Sequence, residues 1–347
     1  MRSLALHLGL LCCAITGSLG CAEILARLSF TPLAHSSNTV ADSILGWDSV
    51  PRISTPSVQD NAPVYFIGDS FTQGTSWPEQ TQKLLQEDTI FITPYNLGVA
   101  GYGTVQEFLK RQRHFPEHTP KIVILQFFAW NDMRDNVGTP AIFYSPHTMQ
   151  RPYLVQATEK EWILRKPFSP LLSSLLSRSS LYVHSILPHL MARDTEHPTY
   201  LSYTEKRAWD PFYRAESQGD PYVTSAYAVT KEALLQMKSY LEERGSILIV
   251  LGLDAAFTVD ADVLRSHVPD PSSFDVSLPL TRVQGICKKL DIPFVNALPA
   301  LRKEAQLLGK KIYNGPEGNL SGHLEPEGND VLARLAAEAI RTYLQGP

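Results

Sequence analysis

The residues of this 347-residue chain with the strongest potential for chemistry are a serine, Ser70, and a histidine, His323. A serine hydroxyl is a weak nucleophile until a positioned base takes its proton. A histidine on a loop that reaches the same crevice supplies such a base near neutral pH. The pair therefore predicts nucleophilic attack on an acyl carbonyl.

Acyl transfer also needs hydrogen-bond donors, because negative charge develops on the carbonyl oxygen in the transition state. The sequence offers three candidate donors. They are the backbone N–H of Ser70, the backbone N–H at Gly101, where no side chain blocks approach, and the side-chain amide of Asn131. These residue types predict an oxyanion hole.

Ser70, Gly101 and Asn131 each lie shortly after a predicted strand. The three strands are, in the same order, Val64–Ile67, Phe91–Leu97 and Ile122–Phe127. The carboxyl ends of parallel strands meet at one edge of a sheet, where ligands bind near the switch in strand order. His323 lies on a predicted loop just before the last predicted helix, Glu327–Leu344, and this loop can reach the same crevice.

The remaining pattern alternates helices and strands, which predicts an α/β fold with a doubly wound parallel sheet. The other predicted elements are helices Trp77–Leu85, Thr104–Gln112, Lys231–Glu243 and Arg282–Leu290 and strands Ser246–Gly252 and Ile292–Val295. Ser76 is the predicted N-cap of the first helix, with Glu79 completing a capping box.

A large aromatic-rich insertion at about 139–230 interrupts this alternation, and residues 171–190 within it have the pattern of an amphipathic helix. Three interpretations of the insertion stay open. It is a lid packed by its own aromatic side chains, a stacking surface for sugar rings, or a membrane-surface contact.

Four segments also resemble, in the right order, the four sequence blocks of the SGNH (GDSL-type) hydrolases, and these segments are Phe66–Gly74, Asn96–Gly101, Asn131–Asp132 and His323–Gly328. The resemblance covers about residues 62–345, with the insertion matched poorly. It implies a flavodoxin-like three-layer α/β/α sandwich with a mostly parallel sheet. It further implies that Ser70 is the nucleophile, that Gly101 and Asn131 complete the oxyanion hole, and that His323 is the base.

The sequence departs from this family at one position of the site. The family has an aspartate shortly before the histidine, which orients the ring, whereas this chain has Leu320 and Ser321 there, and the nearest carboxylate that precedes His323 is Glu317. Loss of the third triad member lowers activity by orders of magnitude without abolishing it. Three alternatives stay open: a Ser–His dyad oriented by a hydroxyl or a backbone carbonyl, a carboxylate from elsewhere, or an inactive site.

The leading functional hypothesis is a serine esterase that cleaves O-acetyl or short-chain esters through an acyl-enzyme. The first alternative is a polysaccharide O-acetyltransferase that uses the same groups. The second alternative is a catalytically weak or inactive carbohydrate-binding homologue. The expected partner is a small-molecule ester or an acylated carbohydrate.

Composition excludes other classes. A net charge of -4 gives no basic footprint for nucleic acid. Three of the four cysteines lie in the first 21 residues, so Cys287 is the single thiol of the body and is expected in the core. The sequence has no CxxC spacing, and no metal or cofactor is expected.

The N-terminal residues 1–30 combine Arg2 with an apolar stretch from Leu4 to Leu19, as signal peptides and membrane anchors do. Besides a buried helix of a soluble protein, two export interpretations fit, namely an uncleaved anchor and cleavage after Ala22. In either case the following residues are expected outside the cytoplasm, either membrane-anchored or secreted and periplasmic, as in a membrane-anchored bacterial-type member of the family. Residues 31–62 are predicted to be a tether, and residues 63–347 the SGNH-like domain.

Overall fold

The computed structural model of the chain describes residues 39–42, 44–49, 61–113, 119–137, 151–158, 161–165, 209–268, 270–314 and 322–345, together with residue 18. The predicted helix at 171–190 and almost all of the predicted N-terminal segment lie outside these residues. Within the described ranges, no helix has the length and apolar character needed to cross a membrane. The chain divides into two compact units, which consist of residues 1–50, 138–151 and 166–205 and of residues 51–137, 152–165 and 206–347.

The described part of the first unit contains an antiparallel hairpin, whose strands are β1 (Thr39–Asp42) and β2 (Gly46–Ser49). The carboxylate of Asp42 accepts hydrogen bonds from the backbone N–H groups of Ile44 (2.8 Å) and Leu45 (2.9 Å). Gly46 then takes a positive φ of 83°, which glycine adopts at no steric cost. This local turn gives regular structure to part of the segment 31–62, where the sequence pattern predicts none.

The second unit begins with the elements β3 (Ala62–Ile67), α1 (Trp77–Glu87), β4 (Ile92–Asn96), α2 (Thr104–Arg113), β5 (Ile122–Phe128), α3 (Asp132–Asn136), β6 (Tyr153–Thr158) and β7 (Glu161–Arg165). It continues with α4 (Pro221–Glu242), β8 (Ile247–Leu253), α5 (Ala256–Val259), α6 (Ala261–His267), α7 (Leu278–Lys289), β9 (Phe294–Asn296), α8 (Leu298–Leu308), β10 (Tyr313–Asn314), β11 (His323–Leu324) and α9 (Pro326–Gln345). Short 3₁₀ turns lie at Asp210–Tyr213, Ala215–Gly219 and Pro271–Ser273.

Five strands form a parallel sheet in the order β4-β3-β5-β8-β9. Counted along the chain, this is the order 2-1-3-4-5 of flavodoxin-like folds, in which the strand order reverses between the first and third strands. The reversal here lies between β3 and β5. The prediction of an α/β fold with a doubly wound parallel sheet is confirmed, and the crevice at this reversal is the expected place for a ligand.

Helices cover both faces of the sheet, as right-handed crossovers require. Helix α1 packs against α9, which also contacts α8, whereas α4 packs against α2, α3 and α7. The middle strand β5 is buried at all seven positions. Each fully buried valine, leucine, isoleucine or phenylalanine side chain contributes roughly 1.5–3 kcal/mol relative to an exposed one, so this strand anchors the core.

The start of one predicted helix differs from the observed one. Helix α4 begins at Pro221, ten residues before the predicted start at Lys231, with the carboxylate of Asp220 accepting from the N–H of Tyr222.

The predicted capping box of α1 is wrong. Ser76 is the N-cap residue, but its backbone is already helical and its side chain makes no capping hydrogen bond.

The aromatic residues of the insertion between 209 and 227 pack on each other and on the body of the second unit. The ring of Trp209 contacts that of Trp130 in a tilted arrangement with centroids 4.4 Å apart, and it also contacts Phe257 and Phe274. Tyr213 is fully buried beside Phe257. For these residues the observed contacts favour internal packing over an open stacking surface.

Candidate active site

Three of the predicted segments lie at the carboxyl edge of the sheet. Ser70 follows β3 and Asn131 follows β5, and these strands pair directly, with Ile67 opposite Leu125 near their ends. Gly101 follows β4 on the other side of β3. The strand order therefore puts the turn that contains Ser70, called the serine turn below, beside the crevice where the order reverses.

The fourth segment reaches the same place. The Nε2 atom of His323 lies 2.9 Å from the Oγ atom of Ser70, although 253 positions separate the two residues along the chain. Ser70 is half-buried and His323 is exposed, so both can meet a molecule from solvent. The prediction that His323 lies on a loop is wrong: the residue opens β11, where it pairs with Asn314 of β10.

The serine turn is built by hydrogen bonds around Asp69. Its Oδ1 atom accepts from the N–H of Phe71 (2.9 Å), and its own N–H donates to the Oε1 atom of Gln126 (3.3 Å). The hydroxyl of Thr72 donates to the same Oε1 atom (3.0 Å). A Cβ atom at Gly68 would lie 2.5 Å from that oxygen, so the close approach requires glycine. Asp69 thus holds the turn that carries Ser70.

The amide of Asn131 is tied to the serine turn. Its Nδ2 atom donates to the Oδ2 atom of Asp69 at 3.1 Å, and the side chain is nearly buried. An amide nitrogen carries two hydrogens, so one remains for a developing oxyanion beside Ser70. One such donor is typically worth about 10²–10³ in kcat in acyl-transfer enzymes.

The loop that carries Gly101 is fastened to the same turn. The N–H of Val99 donates to the carbonyl of Gly68 (2.9 Å), and the N–H of Ala100 donates to the Oε1 atom of Gln73 (2.7 Å). Gly101 itself has a φ of 75°, in the left-handed region that favours glycine. The loop therefore lies beside Ser70 with its backbone turned by a residue that has no side chain.

Buried carboxyl groups lie beneath these loops. Burial raises the pKa of Asp69 to about 7, against the lowering effect of its hydrogen bonds from Phe71 and Asn131. Burial also raises the pKa of Asp132 well above its usual range. The Oδ2 atom of Asp132 accepts from the N–H of Phe128 (3.0 Å), which closes the loop after β5. This contact gives Asp132 a structural role.

The ring of His323 is suited to act as a base. Partial burial lowers its pKa from the ordinary value of 6.5, so the neutral form of the imidazole predominates at pH 7. For Nε2 to accept the Ser70 proton, the neutral ring must carry its hydrogen on Nδ1. Among the residues that the structure describes, none places an acceptor within hydrogen-bond distance of Nδ1, and Leu320 and Ser321 lie outside those residues.

A further carboxylate, Asp254, follows β8 at the same edge, and its Oδ2 atom is buried with no hydrogen-bond partner among the described residues. Its Oδ1 atom accepts from the hydroxyl of Tyr213 (2.5 Å) and from the N–H of Ala255 (2.8 Å). Its backbone carbonyl accepts from the hydroxyl of Tyr313 on β10 (2.6 Å). Asp254 thus holds the hairpin that carries His323 and does not contact the imidazole ring.

Sequence reasoning missed two residues that support the site. Gln126 is a lone polar residue in the buried strand β5, and Asp254 directly follows the buried strand β8. Buried polar side chains are almost always hydrogen-bonded. A polar residue inside or at the carboxyl end of an apolar strand was therefore the available signal.

No group of three or more histidine, cysteine, aspartate and glutamate side chains within the described ranges could hold a metal ion. The single cysteine of the body, Cys287, is fully buried, as expected, and burial raises the pKa of its thiol to about 12. The arrangement of Ser70, His323 and Asn131 supplies a nucleophile, a base and a hydrogen-bond donor.

Comparisons with known proteins give structural similarity at very low identity. No protein-family model and no curated protein matches the sequence. A lipase/acylhydrolase from Enterococcus faecalis is similar with a TM-score of 0.43 at 10% identity, over 81% of this chain and 96% of that one.

Two further similar structures are a catalytic mutant of an acetylxylan esterase from Geobacillus stearothermophilus and a GDSL-like lipase from Bacteroides thetaiotaomicron. The esterase matches with a TM-score of 0.44 at 12% identity, over 82% of this chain and 95% of that one. The lipase matches with a TM-score of 0.38 at 13% identity, over 83% of this chain and 92% of that one. Identity this low transfers no residue or substrate from those proteins to this chain.

Proposed function

We propose that the chain is a serine hydrolase that cleaves carboxylic esters through a covalent acyl-enzyme. The observation that carries this proposal is the distance of 2.9 Å between the Oγ atom of Ser70 and the Nε2 atom of His323. A nucleophile within hydrogen-bond reach of a neutral imidazole is the arrangement that covalent catalysis requires.

The reaction then has two halves. The Oγ atom of Ser70 attacks the ester carbonyl while Nε2 of His323 takes the hydroxyl proton. The oxyanion receives hydrogen bonds from the backbone N–H of Ser70, the N–H of Gly101 and the second Nδ2 hydrogen of Asn131. Collapse of the tetrahedral intermediate breaks the ester bond, and the imidazolium gives its proton to the departing alcohol. Water repeats the sequence on the acyl-enzyme and releases the acid.

The proposed substrate is an O-acetyl or other short-chain ester of a small molecule or a carbohydrate. Transfer of the acyl group to a polysaccharide hydroxyl would use the same groups, with a sugar in place of water, and it stays a prediction. The contact between Ser70 and His323 argues against an inactive carbohydrate-binding homologue, because such a protein does not need these side chains within reach of each other.

We also propose that the domain acts outside the cytoplasm, tethered to the membrane or released from it. The support for this proposal is the sequence of residues 1–30 alone. Fractionation of cells that produce the full chain would test it, and recovery of the uncleaved chain from the soluble cytosol would contradict it.

Fluorophosphonate labelling is the direct test of the nucleophile. The Oγ atom of an activated serine displaces fluoride from phosphorus and leaves a stable phosphonate ester. We expect the folded full-length chain to be labelled once, with the modified peptide containing Ser70. The heat-unfolded chain serves as the control, because activation of the serine depends on the fold. Absence of labelling in folded protein, together with no hydrolysis of p-nitrophenyl acetate, would refute the proposed function.

The pH dependence of hydrolysis is expected to follow His323. Only the neutral imidazole accepts the Ser70 proton, and partial burial lowers its pKa from 6.5. Activity should therefore be lost as the pH falls through a midpoint below 6.5 and should be retained above it. The profile of kcat/KM against pH reports this midpoint for the free enzyme.

Titration of Asp69 must be distinguished from titration of His323 in this pH profile, because burial raises the pKa of Asp69 to about 7. The variant Asp69→Asn removes that titration and keeps the size of the side chain. An acid limb that persists in this variant belongs to His323. An acid limb with a midpoint above 6.5 that disappears in the variant would contradict the assignment.

A further inference from the structure

The imidazole ring of His323 lies against the ring of Phe71. The two ring centroids are 4.9 Å apart and the ring planes differ by 25°, which is a stacked arrangement. Phe71 directly follows Ser70 in the chain. One short turn therefore supplies both the atom that contacts Nε2 and the surface that contacts the face of the ring.

Phe71 is held rigidly enough to act as a platform. It is 2% exposed, and its ring contacts Phe128 at a centroid distance of 4.3 Å. Its N–H donates to the carboxyl of Asp69 (2.9 Å), and its carbonyl accepts from the Nε1 atom of Trp77 (3.0 Å). Contacts from both sides of the turn thus fix the backbone and the ring.

The hairpin on the other side fixes the backbone of His323. Its N–H donates to the Oδ1 atom of Asn314 (3.3 Å), and Tyr313 beside it is anchored to the carbonyl of Asp254. The ring of Tyr313 also meets the ring of Phe71 edge-on at 6.4 Å. With the backbone held by β10 and the ring face held by Phe71, rotation of the imidazole away from Ser70 is restricted.

We propose that Phe71 is a positioning residue that orients the imidazole of His323 by ring stacking, at a ring whose Nδ1 atom meets no hydrogen-bond acceptor among the described residues. This inference rests on the proposed function for its catalytic consequence, but the stacking itself can be measured without turnover. The face of an aromatic ring also attracts a cation, so Phe71 stabilises the imidazolium that forms when the Ser70 proton is transferred.

The test replaces the ring by an aliphatic side chain in the full-length protein. We expect Phe71→Leu to lower kcat for p-nitrophenyl acetate by roughly 10-fold to 100-fold, the effect expected of a misplaced catalytic group, with KM changed by less than about twofold. Phe71→Tyr keeps the aromatic face and should recover most of the lost kcat. Phe212→Leu is the matched control, because Phe212 is fully buried and its ring contacts Tyr222 and Tyr227 and not His323.

The second measurement is the pKa of the His323 imidazole by NMR titration, with the resonance assigned from a His323→Gln sample. Loss of the aromatic face should lower this pKa in Phe71→Leu relative to the wild-type chain, whereas Phe212→Leu should leave it unchanged. The titratable groups on the elements around the ring are Asp69, Tyr313, Asp254 and Glu325. All of them stay in place in both variants.

The outcomes separate the two proposals. If the wild-type chain hydrolyses no ester but Phe71→Leu lowers the imidazole pKa, the proposed function fails and the stacking role stands. If the wild-type chain is active and Phe71→Leu matches Phe212→Leu in kcat and in the imidazole pKa, the positioning role is overturned and the proposed function stands. Equal loss of kcat in Phe71→Tyr and Phe71→Leu would also overturn it.

Discussion

Substitution of Ser70 by alanine should lower kcat for a short-chain ester by about 10⁴–10⁶, the range found when the nucleophile of a serine hydrolase is removed. The variant keeps the neutral imidazole and the oxyanion donors, but no oxygen remains to form the acyl-enzyme. Residual hydrolysis then comes from donors that stabilise direct attack by water. Initial rates with p-nitrophenyl acetate measure the loss, and fluorophosphonate labelling of the same sample should disappear.

Ser76 provides a matched control for this substitution. It is an exposed serine six positions further along, at the N-cap of α1, and its side chain makes no capping hydrogen bond. Ser76→Ala should keep the wild-type rate and the wild-type labelling. A Ser70→Ala protein that remains folded by circular dichroism and still hydrolyses the ester within tenfold of wild type would show that another group is the nucleophile.

The position of Ser70 was predictable because it follows from the pattern of apolar residues in nearby segments of the chain. The apolar runs before Ser70 and Asn131 predict buried strands, and parallel strands bring their carboxyl ends to one edge. That rule needs no knowledge of side-chain contacts. The strand order found here, with β3 and β5 adjacent, brings the serine turn and the Asn131 loop to the same crevice.

The groups that tune the site were not predictable in this way. The stacking of Phe71 on His323 depends on a two-residue strand, β11, that is too short to leave a periodic pattern.

The early start of α4 was not predictable either. The first half of α4 is rich in aromatic and β-branched residues, which have lower helix propensity. Tertiary packing of residues such as Tyr222 and Val223 decides that the segment is helical.

Because none of the described residues places a carboxylate on the ring, much of the expected catalytic effect depends on the position of His323 itself. Substitution of His323 by alanine should lower kcat by roughly 10³–10⁶, because Ser70 then has no positioned base. In contrast to Ser70→Ala, this variant keeps the nucleophile. Fluorophosphonate labelling of Ser70 should therefore slow by a large factor but still reach completion on long incubation.

Chemical rescue sharpens this prediction, since His323 is exposed and its removal leaves the aromatic face of Phe71 open to a small molecule. Free imidazole at tens of millimolar can bind there, accept the Ser70 proton and restore part of the activity of His323→Ala. Imidazole also hydrolyses activated esters in solution, so the same additions to Ser70→Ala give the background. Rescue of His323→Ala above that background, with a dependence on pH that follows neutral imidazole, would identify His323 as the base. Equal acceleration of the two variants would show that the contact of 2.9 Å does not serve proton transfer.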